Sequence, residues 1–228
     1  MSDSASLELT FLGHAAFALR WHGLRVCVDP HKPGALGGRF DLPPIRGPFD
    51  HVVTTHSHED HCAWTPELGA APWHDGDGAL GPIRLRVRPA FHDTRGGTQM
   101  GLVRMVSLDD GHQRVVHAGD IAAWDDADIA WLAGTDVLLV PTGGTYTLDG
   151  GAAAAFVRAV RPRVAVPMHA ADARVDLPLE PVDAFVAAWS GPVELAASPT
   201  WTLPGGVTGQ GGARPEASQT RVLVLPAP

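Results

Sequence analysis

The sequence predicts an α/β fold in which two packed β-sheets carry helices on their outer faces. Before Asp120 the chain has short apolar runs separated by Gly-rich turns, which is typical of antiparallel strands. After Asp120 apolar runs alternate with helical patterns, which is typical of βαβ units. With 228 residues, 45% of them apolar, the chain is long enough to bury a full core.

In the first half of the chain, strands follow one another closely. Gly13-His14 separates the first two strands as a hairpin turn, and His22-Gly23 precedes the third. Residues His31–Pro48 are rich in Gly and Pro, so we expect a loop long enough to be functional. The predicted strands are Leu7–Leu12, Ala15–Trp21, Leu24–Val28, His51–Thr54, Ile83–Pro89, Leu102–Leu108 and Arg114–His117, with a short helix starting in Thr65–Leu68.

The second half alternates helices and strands. The predicted helices are Asp125–Leu132, Gly150–Val160 and Val182–Trp189, and the predicted strands are Asp136–Val140, Arg163–Pro167 and Val193–Ala196. The Gly-rich segment from Ser198 is expected to be flexible until an edge strand at Arg221–Leu225. We therefore expect one domain over 1–228, with residues 1–6 and about 198–220 flexible.

Composition excludes several classes of protein. A net charge of −8 without a basic stripe argues against nucleic-acid binding. The chain has no run of about 18 apolar residues, so no membrane span is expected. The N-terminal residues lack the pattern of a signal peptide. With only two cysteines, a secreted disulfide scaffold is not indicated. We expect a cytoplasmic protein that acts on a small molecule, and the oligomeric state stays open.

One short motif points to metal chemistry. Directly after an apolar run, the chain has H-x-H-x-D-H spacing at His56, His58, Asp60 and His61. Alternate side chains of an extended segment share a face, so His56 and His58 can reach one ion. The neighbours Asp60 and His61 diverge toward a second point. Since imidazole and carboxylate ligate zinc, and also manganese, iron or nickel, the motif predicts two metal ions.

Three further residues are candidate ligands because each stands at the tip of an apolar run. His92 follows the run that ends at Phe91, Asp120 follows Val115–Gly119, and His169 follows Val164–Met168. Strand ends on a rigid scaffold are the usual places from which side chains converge on one site. These three residues can complete the two coordination shells that a six-residue motif cannot complete alone.

Taken together, these motifs resemble the metallo-β-lactamase superfamily. The H-x-H-x-D-H segment resembles its signature, and His92, Gly119-Asp120 and His169 resemble its later motifs in order. The resemblance runs from about Leu7 to Leu195 and implies a four-layer αβ/βα sandwich. Further segments resemble the subgroup around L-ascorbate-6-phosphate lactonase, namely Leu12-Gly13-His14-Ala15-Ala16-Phe17, Val28-Asp29-Pro30, Pro141-Thr142-Gly143-Gly144 and Pro167-Met168-His169.

The resemblance also implies roles for the ligands. One ion would be held by His56, His58 and His92, the other by Asp60, His61 and His169, with Asp120 bridging and a hydroxide between the ions as nucleophile. Asp120 and Asp60 are the catalytic candidates. One departure is Ile121, where the subgroup often has Thr or Ser, so that one hydrogen bond near the ligands is in doubt.

Four other residues are candidates for roles near the ions. His14 is expected to contact a ligand or the substrate, and Asp29 is expected to orient a metal-bound imidazole. Tyr146, the only tyrosine, can hydrogen-bond an oxyanion or simply pack. Cys62 follows the motif directly, and as a small buried residue beside the metals it is expected to be inert.

These observations predict a dinuclear metal-dependent hydrolase of a small ester, lactone or phosphoester, with two divalent ions. Zinc is the favoured metal, and manganese, iron and nickel are alternatives. A phosphodiesterase and an iron-dependent oxygenase or redox enzyme are the alternative functions. A non-catalytic metal-binding protein is a third reading, and the complete ligand set argues against it.

Overall fold

The computed structural model describes residues 6–204 and 219–228, and their strands form two sheets. The first sheet has six strands in the spatial order β13-β1-β2-β3-β4-β5. They are β1 (Leu7–Gly13), β2 (Ala16–Trp21), β3 (Leu24–Val28), β4 (His51–Val53), β5 (Trp73–His74) and β13 (Thr200–Leu203). Strands β1, β2 and β3 pair in antiparallel fashion, and β4 pairs in parallel with β3.

The second sheet has eight strands in the order β12-β14-β11-β10-β9-β8-β7-β6. They are β6 (Gly78–Leu80), β7 (Ile83–Phe91), β8 (Leu102–Asp109), β9 (Arg114–His117), β10 (Val137–Pro141), β11 (Val164–Met168), β12 (Val193–Leu195) and β14 (Arg221–Val224). Strands β6 to β9 are antiparallel neighbours, whereas the pairs from β9 through β10, β11 and β14 to β12 are parallel. The predicted change of character after Asp120 is therefore confirmed.

The helices are short. They are α1 (Ala35–Gly38), a 3₁₀ turn at Pro66–Leu68, α2 (Asp126–Trp131), α3 (Gly150–Val160) and α4 (Val182–Ala188). Asp125 caps α2 by accepting from the Asp128 amide at 2.8 Å, and Asp149 caps α3 by accepting from the Ala152 amide at 2.7 Å. With 11 residues, α3 is the longest helix in the described ranges, and none of them could cross a membrane.

The main core lies between the two sheets, and a second core lies under the helices. In β10, Val137 and Leu139 pack in the inter-sheet core, while Leu138 and Val140 pack beneath α3 and α4. Because side chains alternate along a strand, one strand contributes to both cores. The outer face of the first sheet is covered by the segments around Phe49 and the 3₁₀ turn. The predicted fold class, two packed sheets with outer covering layers, is confirmed.

The C-terminal part differs from the sequence-based expectation. Thr200–Leu203 lies in the segment predicted to be flexible, yet it forms β13 because its backbone pairs with β1. Strand β14 is not an edge strand, since it lies between β11 and β12. Val222 and Leu223 are both fully buried, as expected for a parallel strand covered on both faces. Residues 1–5 and 205–218, also predicted to be flexible, lie outside the described residues.

Candidate metal centre

The seven residues predicted as metal ligands come together beyond the ends of β4, β7, β9 and β11. Oδ2 of Asp120 lies in the middle of the group. Four imidazoles approach this oxygen through Nε2, at 3.1 Å for His61, 3.2 Å for His169, 3.7 Å for His92 and 3.9 Å for His56. One carboxylate oxygen is therefore within reach of ligands from both halves of the predicted centre.

The first half is a three-imidazole cluster formed by His56, His58 and His92. Nε2 of His56 lies 2.9 Å from Nδ1 of His58, which lies 3.3 Å from Nε2 of His92. Nδ1 of His92 donates to the carbonyl oxygen of Tyr146 at 3.1 Å, which leaves Nε2 as the free donor atom facing the cluster. His58 is the most exposed of the three.

The second half is a mixed cluster of Asp60, His61, His169 and His14. The donor atoms of these four residues all lie within 4.8 Å of one another, and all four residues are buried. Oδ2 of Asp60 lies 3.4 Å from Nε2 of His61 and 3.2 Å from Nε2 of His14. His14, predicted to contact a ligand or the substrate, thus contacts the Asp60 carboxylate directly.

Asp29 supports both clusters from behind. Its Oδ2 accepts from Nδ1 of His61 at 2.9 Å, as predicted for a carboxylate that orients an imidazole. The hydroxyl of Thr55 donates to the same oxygen at 2.7 Å and lies 2.9 Å from Nδ1 of His56, while the Thr55 amide donates to Oδ1 of Asp29. Since the Thr55 hydroxyl proton is used by Asp29, its oxygen is free to accept from His56. The sequence analysis missed Thr55.

The backbone of the site is held in uncommon conformations. His14, Asp29 and His169 have φ of 56°, 49° and 52°, in the left-handed region that non-glycine residues seldom occupy. The amide of His169 donates to the carbonyl oxygen of His14 at 2.7 Å, which fastens two of these residues to each other. A Cβ at Gly143 would lie 2.0 Å from the carbonyl oxygen of His169, so this glycine is required for the close approach.

The donor atoms fit divalent cations. Nδ1 of His61 donates to Asp29, so Nε2 presents a lone pair toward the Asp60 and Asp120 carboxylates at 3.4 and 3.1 Å. Within the described part of the chain, Nε2 of His61 and Oδ1 of Asp120 are buried without a hydrogen-bond partner. A lone pair facing two carboxylates is repelled unless a cation lies between them. This arrangement therefore suits a metal ion.

The electrostatics agree with that conclusion. Burial lowers the pKa of His56 to about 3 and also lowers the pKa of His92, so both are neutral and able to bind metal. Burial alone would raise the pKa of Asp60 and Asp120, but the neighbouring imidazoles hold both below the ordinary value. Burial would lower the pKa of His61, but the carboxylates of Asp120 and Asp60 raise it well above its usual range. The space between His61 and these two carboxylates therefore favours a cation.

A cavity of about 280 Å³ opens beside the two clusters. Apart from the ligands, it is lined by Leu36, Arg39, Met100, Tyr146 and Leu177. Four of these five side chains are wholly or largely apolar, and Arg39 is the only cation among them. In the described residues the guanidinium of Arg39 forms no ion pair. The sequence analysis did not single out Arg39, because nothing in the loop 31–48 marks which residue turns toward the ions.

Other residues in or near the motif have structural roles. Lys32 pairs with Glu59 of the motif at 2.7 Å, and the second oxygen of Glu59 accepts from the Leu36 amide at 2.8 Å. Glu59, at one of the two motif positions that are not candidate ligands, therefore fastens the loop at the cavity. Ile121 is fully buried in the core under the helices. Cys62 is partly exposed outside both clusters, and burial raises the pKa of its thiol.

The chain matches the family model described as the beta-lactamase superfamily domain over residues 8–169. A UPF0173 metal-dependent hydrolase of Opitutus terrae is 30% identical over 196 residues, which cover 72% of this chain and 84% of that protein. A UPF0173 metal-dependent hydrolase of Carboxydothermus hydrogenoformans is 28% identical over 192 residues, with the same two coverages.

A solved structure supports the fold. The protein from Thermotoga maritima, described as a zinc-dependent hydrolase of the metallo-β-lactamase superfamily, superposes with a TM-score of 0.68 at 22% identity, covering 96% of this chain and all of that one. The relatives are metal-dependent hydrolases, and the ligand motifs, the fold and the family match agree. The chain is a metal-dependent hydrolase that belongs to the metallo-β-lactamase superfamily.

Proposed function

We propose that the protein is a dinuclear hydrolase that cleaves a small ester, lactone or phosphoester. The observation that carries this proposal is the position of Oδ2 of Asp120, which lies 3.1 to 3.9 Å from imidazoles of both clusters. His56, His58 and His92 would hold one ion. Asp60, His61 and His169 would hold the other, and Asp120 would bridge the two. A bridging carboxylate keeps two ions close enough to act on one reacting centre.

When bound, two divalent ions lower the pKa of a shared water toward neutrality and polarise the oxygen of the bond to be cleaved. The residues supply orientation. Asp120 stays ionised because neighbouring imidazoles lower its pKa, and its unpartnered Oδ1 can accept a hydrogen bond from the attacking water. Asp60, ionised for the same reason, lines the cavity and balances the positive charge next to the substrate.

The cavity supports a small-molecule substrate. Its volume of about 280 Å³ is just below the range of ligand pockets, which begins at roughly 300 Å³, so a substrate would have to be small. Leu36, Met100 and Leu177 would pack on an apolar part of the substrate and exclude water from the reacting bond. Arg39 can bind an anionic group, and the phenol of Tyr146 can donate a hydrogen bond to the developing oxyanion.

Metal content per chain tests the proposal. The protein is purified without chelators and without a metal-binding tag, and its metals are measured by plasma mass spectrometry. We expect two equivalents of a divalent metal, zinc being favoured over manganese, iron and nickel, and hydrolysis in a panel of lactones, carboxylic esters and phosphodiesters. One equivalent of iron together with oxygen consumption would contradict the hydrolytic proposal and support the redox alternative.

The charge preference of the substrate can be tested in the same panel. We expect anionic esters or lactones to be cleaved with a lower KM than neutral ones, and Arg39→Ala to abolish that difference. Arg95, an exposed arginine outside the cavity, gives the matched control Arg95→Ala. An equal rise in KM for neutral and anionic substrates would contradict the assignment of Arg39 to charge recognition.

A further inference from the structure

His14 occupies an unusual position for a residue that only packs beside a metal centre. Its side chain is fully buried, and its ring lies between Phe40, with centroids 4.9 Å apart, and His169, with centroids 4.0 Å apart. Nε2 points at Asp60, and Nδ1 has no partner among the described residues. The contact through Nε2 is therefore the polar contact that defines where this imidazole points.

The oxygen that Nε2 approaches is the one that faces the ion site. Oδ2 of Asp60 lies 3.2 Å from Nε2 of His14 and 3.4 Å from Nε2 of His61. Had His14 served only to orient the carboxylate, its natural partner would be the other oxygen, Oδ1. Asp29 shows how a supporting group leaves the metal-facing atom free, because it contacts Nδ1 of His61 and leaves Nε2 facing the carboxylates.

The spacing of the donor atoms matches the edges of one coordination shell. Metal–ligand bonds of about 2.1 Å place neighbouring ligand atoms about 3.0 to 3.4 Å apart in octahedral or tetrahedral geometry. Four successive pairs have this spacing, namely His14–Asp60 at 3.2 Å, Asp60–His61 at 3.4 Å, His61–Asp120 at 3.1 Å and Asp120–His169 at 3.2 Å. The rings of His169 and His14 are tilted at 46° with centroids 4.0 Å apart, and the donor atoms of His14, Asp60, His61 and His169 all lie within 4.8 Å of one another.

We infer that Nε2 of His14 is a ligand of the ion in the mixed cluster. This inference rests on the proposed two-ion centre and adds a ligand to the set predicted from the sequence. The ion in the mixed cluster then has nitrogen ligands from His14, His61 and His169, and oxygen ligands from Asp60 and Asp120. Five protein ligands leave room for one further ligand, so this ion would be five- or six-coordinate.

The test isolates the mixed cluster and reads its coordination directly. His92→Ala removes a ligand of the three-imidazole cluster only, so cobalt added to this variant reports on the mixed cluster. His14→Phe in the same background keeps the ring that packs between Phe40 and His169 but removes the donor nitrogen. Cobalt affinity is measured by equilibrium dialysis, and the coordination number is measured by visible absorption, which is weakest for six-coordinate cobalt, intermediate for five-coordinate cobalt and strongest for four-coordinate cobalt.

We expect His14→Phe to weaken cobalt binding by about tenfold or more, since loss of a residue that merely supports a ligand already costs roughly that much. We also expect the visible absorption to become stronger as the coordination number falls. His14→Gln, tested in parallel, offers a carbonyl oxygen and is expected to retain cobalt with a shifted spectrum. Unchanged affinity in both variants would overturn the inference, and so would weaker binding with an unchanged spectrum, because His14 would then act only through Asp60.

A matched control separates ligand loss from a damaged core. His31 is buried near the same Phe40 ring, but its Nε2 donates to the carbonyl oxygen of Leu12 at 3.0 Å. We expect His31→Gln to lower the melting temperature and to leave the cobalt spectrum unchanged. Cobalt binding to the unsubstituted protein is measured alongside. One equivalent instead of two would contradict the dinuclear mechanism, while the effect of His14→Phe would still decide the role of His14.

Discussion

The two halves of the candidate metal centre differ in charge, burial and support. The three-imidazole cluster has no carboxylate of its own and meets Asp120 only at 3.7 to 3.9 Å. The mixed cluster contains Asp60, is buried throughout, and meets Asp120 at 3.1 to 3.2 Å. Asp29 holds an imidazole of the mixed cluster directly, whereas it reaches the three-imidazole cluster only through Thr55.

These differences predict that the two halves bind their ions with different affinities. Carboxylates and burial favour a cation in the mixed cluster, so we expect the ion there to be bound more tightly. Both clusters border the cavity, through His58 and His92 on one side and through Asp60 and His169 on the other. His58 is the only candidate ligand that is not buried, so we expect the ion of the three-imidazole cluster to exchange faster with solvent. The following predictions test this asymmetry.

Asp120→Ala should have the largest effect, because Asp120 is the residue common to both halves. We expect hydrolysis to be abolished and metal content to drop below that of any variant confined to one cluster. Steady-state kinetics and plasma mass spectrometry measure the two quantities. Retention of two ions with high activity would show that the halves do not need a shared ligand.

Asp60→Ala and His61→Ala should abolish hydrolysis and lower metal content toward one ion per chain. The mixed cluster loses a ligand in each case, while the three-imidazole cluster keeps all of its own. His58→Ala is the matched variant on the other side, and we expect it to leave the tightly held ion in place. Stepwise removal of metal with a chelator compares them, and full activity with one ion would contradict the dinuclear mechanism.

Thr55→Val should have a moderate effect that falls on the three-imidazole cluster. The valine keeps the shape but removes the hydroxyl through which Asp29 reaches His56. Loss of such a support typically costs roughly tenfold to a hundredfold in metal affinity or activity. Titration with zinc after chelation measures the affinity of each site. Equal weakening of both ions would argue against separate support of the two halves.

Asp93→Asn should destabilise the loop that follows His92 without removing a ligand. Asp93 accepts hydrogen bonds from four amides of this loop, and the bond from the Met100 amide, followed by the others, lowers its pKa to about 2. Because the folded-state pKa is below the ordinary value of 3.8, the stabilisation is present above about pH 4 and is lost as the pH falls toward 2.

Melting temperatures at several pH values check this prediction. The difference in melting temperature between Asp93→Asn and the unsubstituted protein should be largest above pH 4 and should decrease as the solution is acidified. Asp183→Asn, at an exposed position, is the control and should leave no such difference. A difference that stays constant down to pH 2 would mean that the carboxylate charge is not what holds the loop.

Cys62→Ser should have the smallest effect. The thiol follows the metal-binding motif in sequence but belongs to neither cluster, and its raised pKa disfavours the reactive thiolate. We expect the free energy of unfolding to change by no more than about 0.5 kcal/mol, and activity to stay nearly the same. Loss of activity with both ions still bound would reveal a role for the thiol.

The convergence of the seven candidate ligands could be anticipated from the sequence because it depends on strand ends, which apolar runs mark clearly. The same reasoning correctly paired Asp29 with an imidazole. Thr55 was missed because a threonine beside a histidine motif carries no signal of its own, and its role appears only when β3 and β4 lie side by side. Arg39 was missed because the path of a long Gly- and Pro-rich loop does not follow from local sequence.

The C-terminal sheet could not be anticipated for a different reason. Local pattern identifies Arg221–Leu225 as extended, but it does not reveal the neighbours of the strand. The partners β11 and β12 lie far back in the chain, so the pairing depends on contacts between distant segments. Thr200–Leu203 was predicted to be flexible because Gly-rich sequence follows it, whereas the pairing partner β1 is almost two hundred residues away.

The place of β14 has a consequence for the order of folding. Within the described residues, β12 joins its sheet only through β14, which follows it in the chain and is therefore synthesised later. Until Arg221–Val224 is synthesised, β12 has no neighbour and β11 keeps an open edge. In the nascent chain, the edge of β11 therefore stays exposed to other chains until the four-residue strand β14 pairs with it. Slow translation between β12 and β14 would lengthen this interval and favour aggregation over folding.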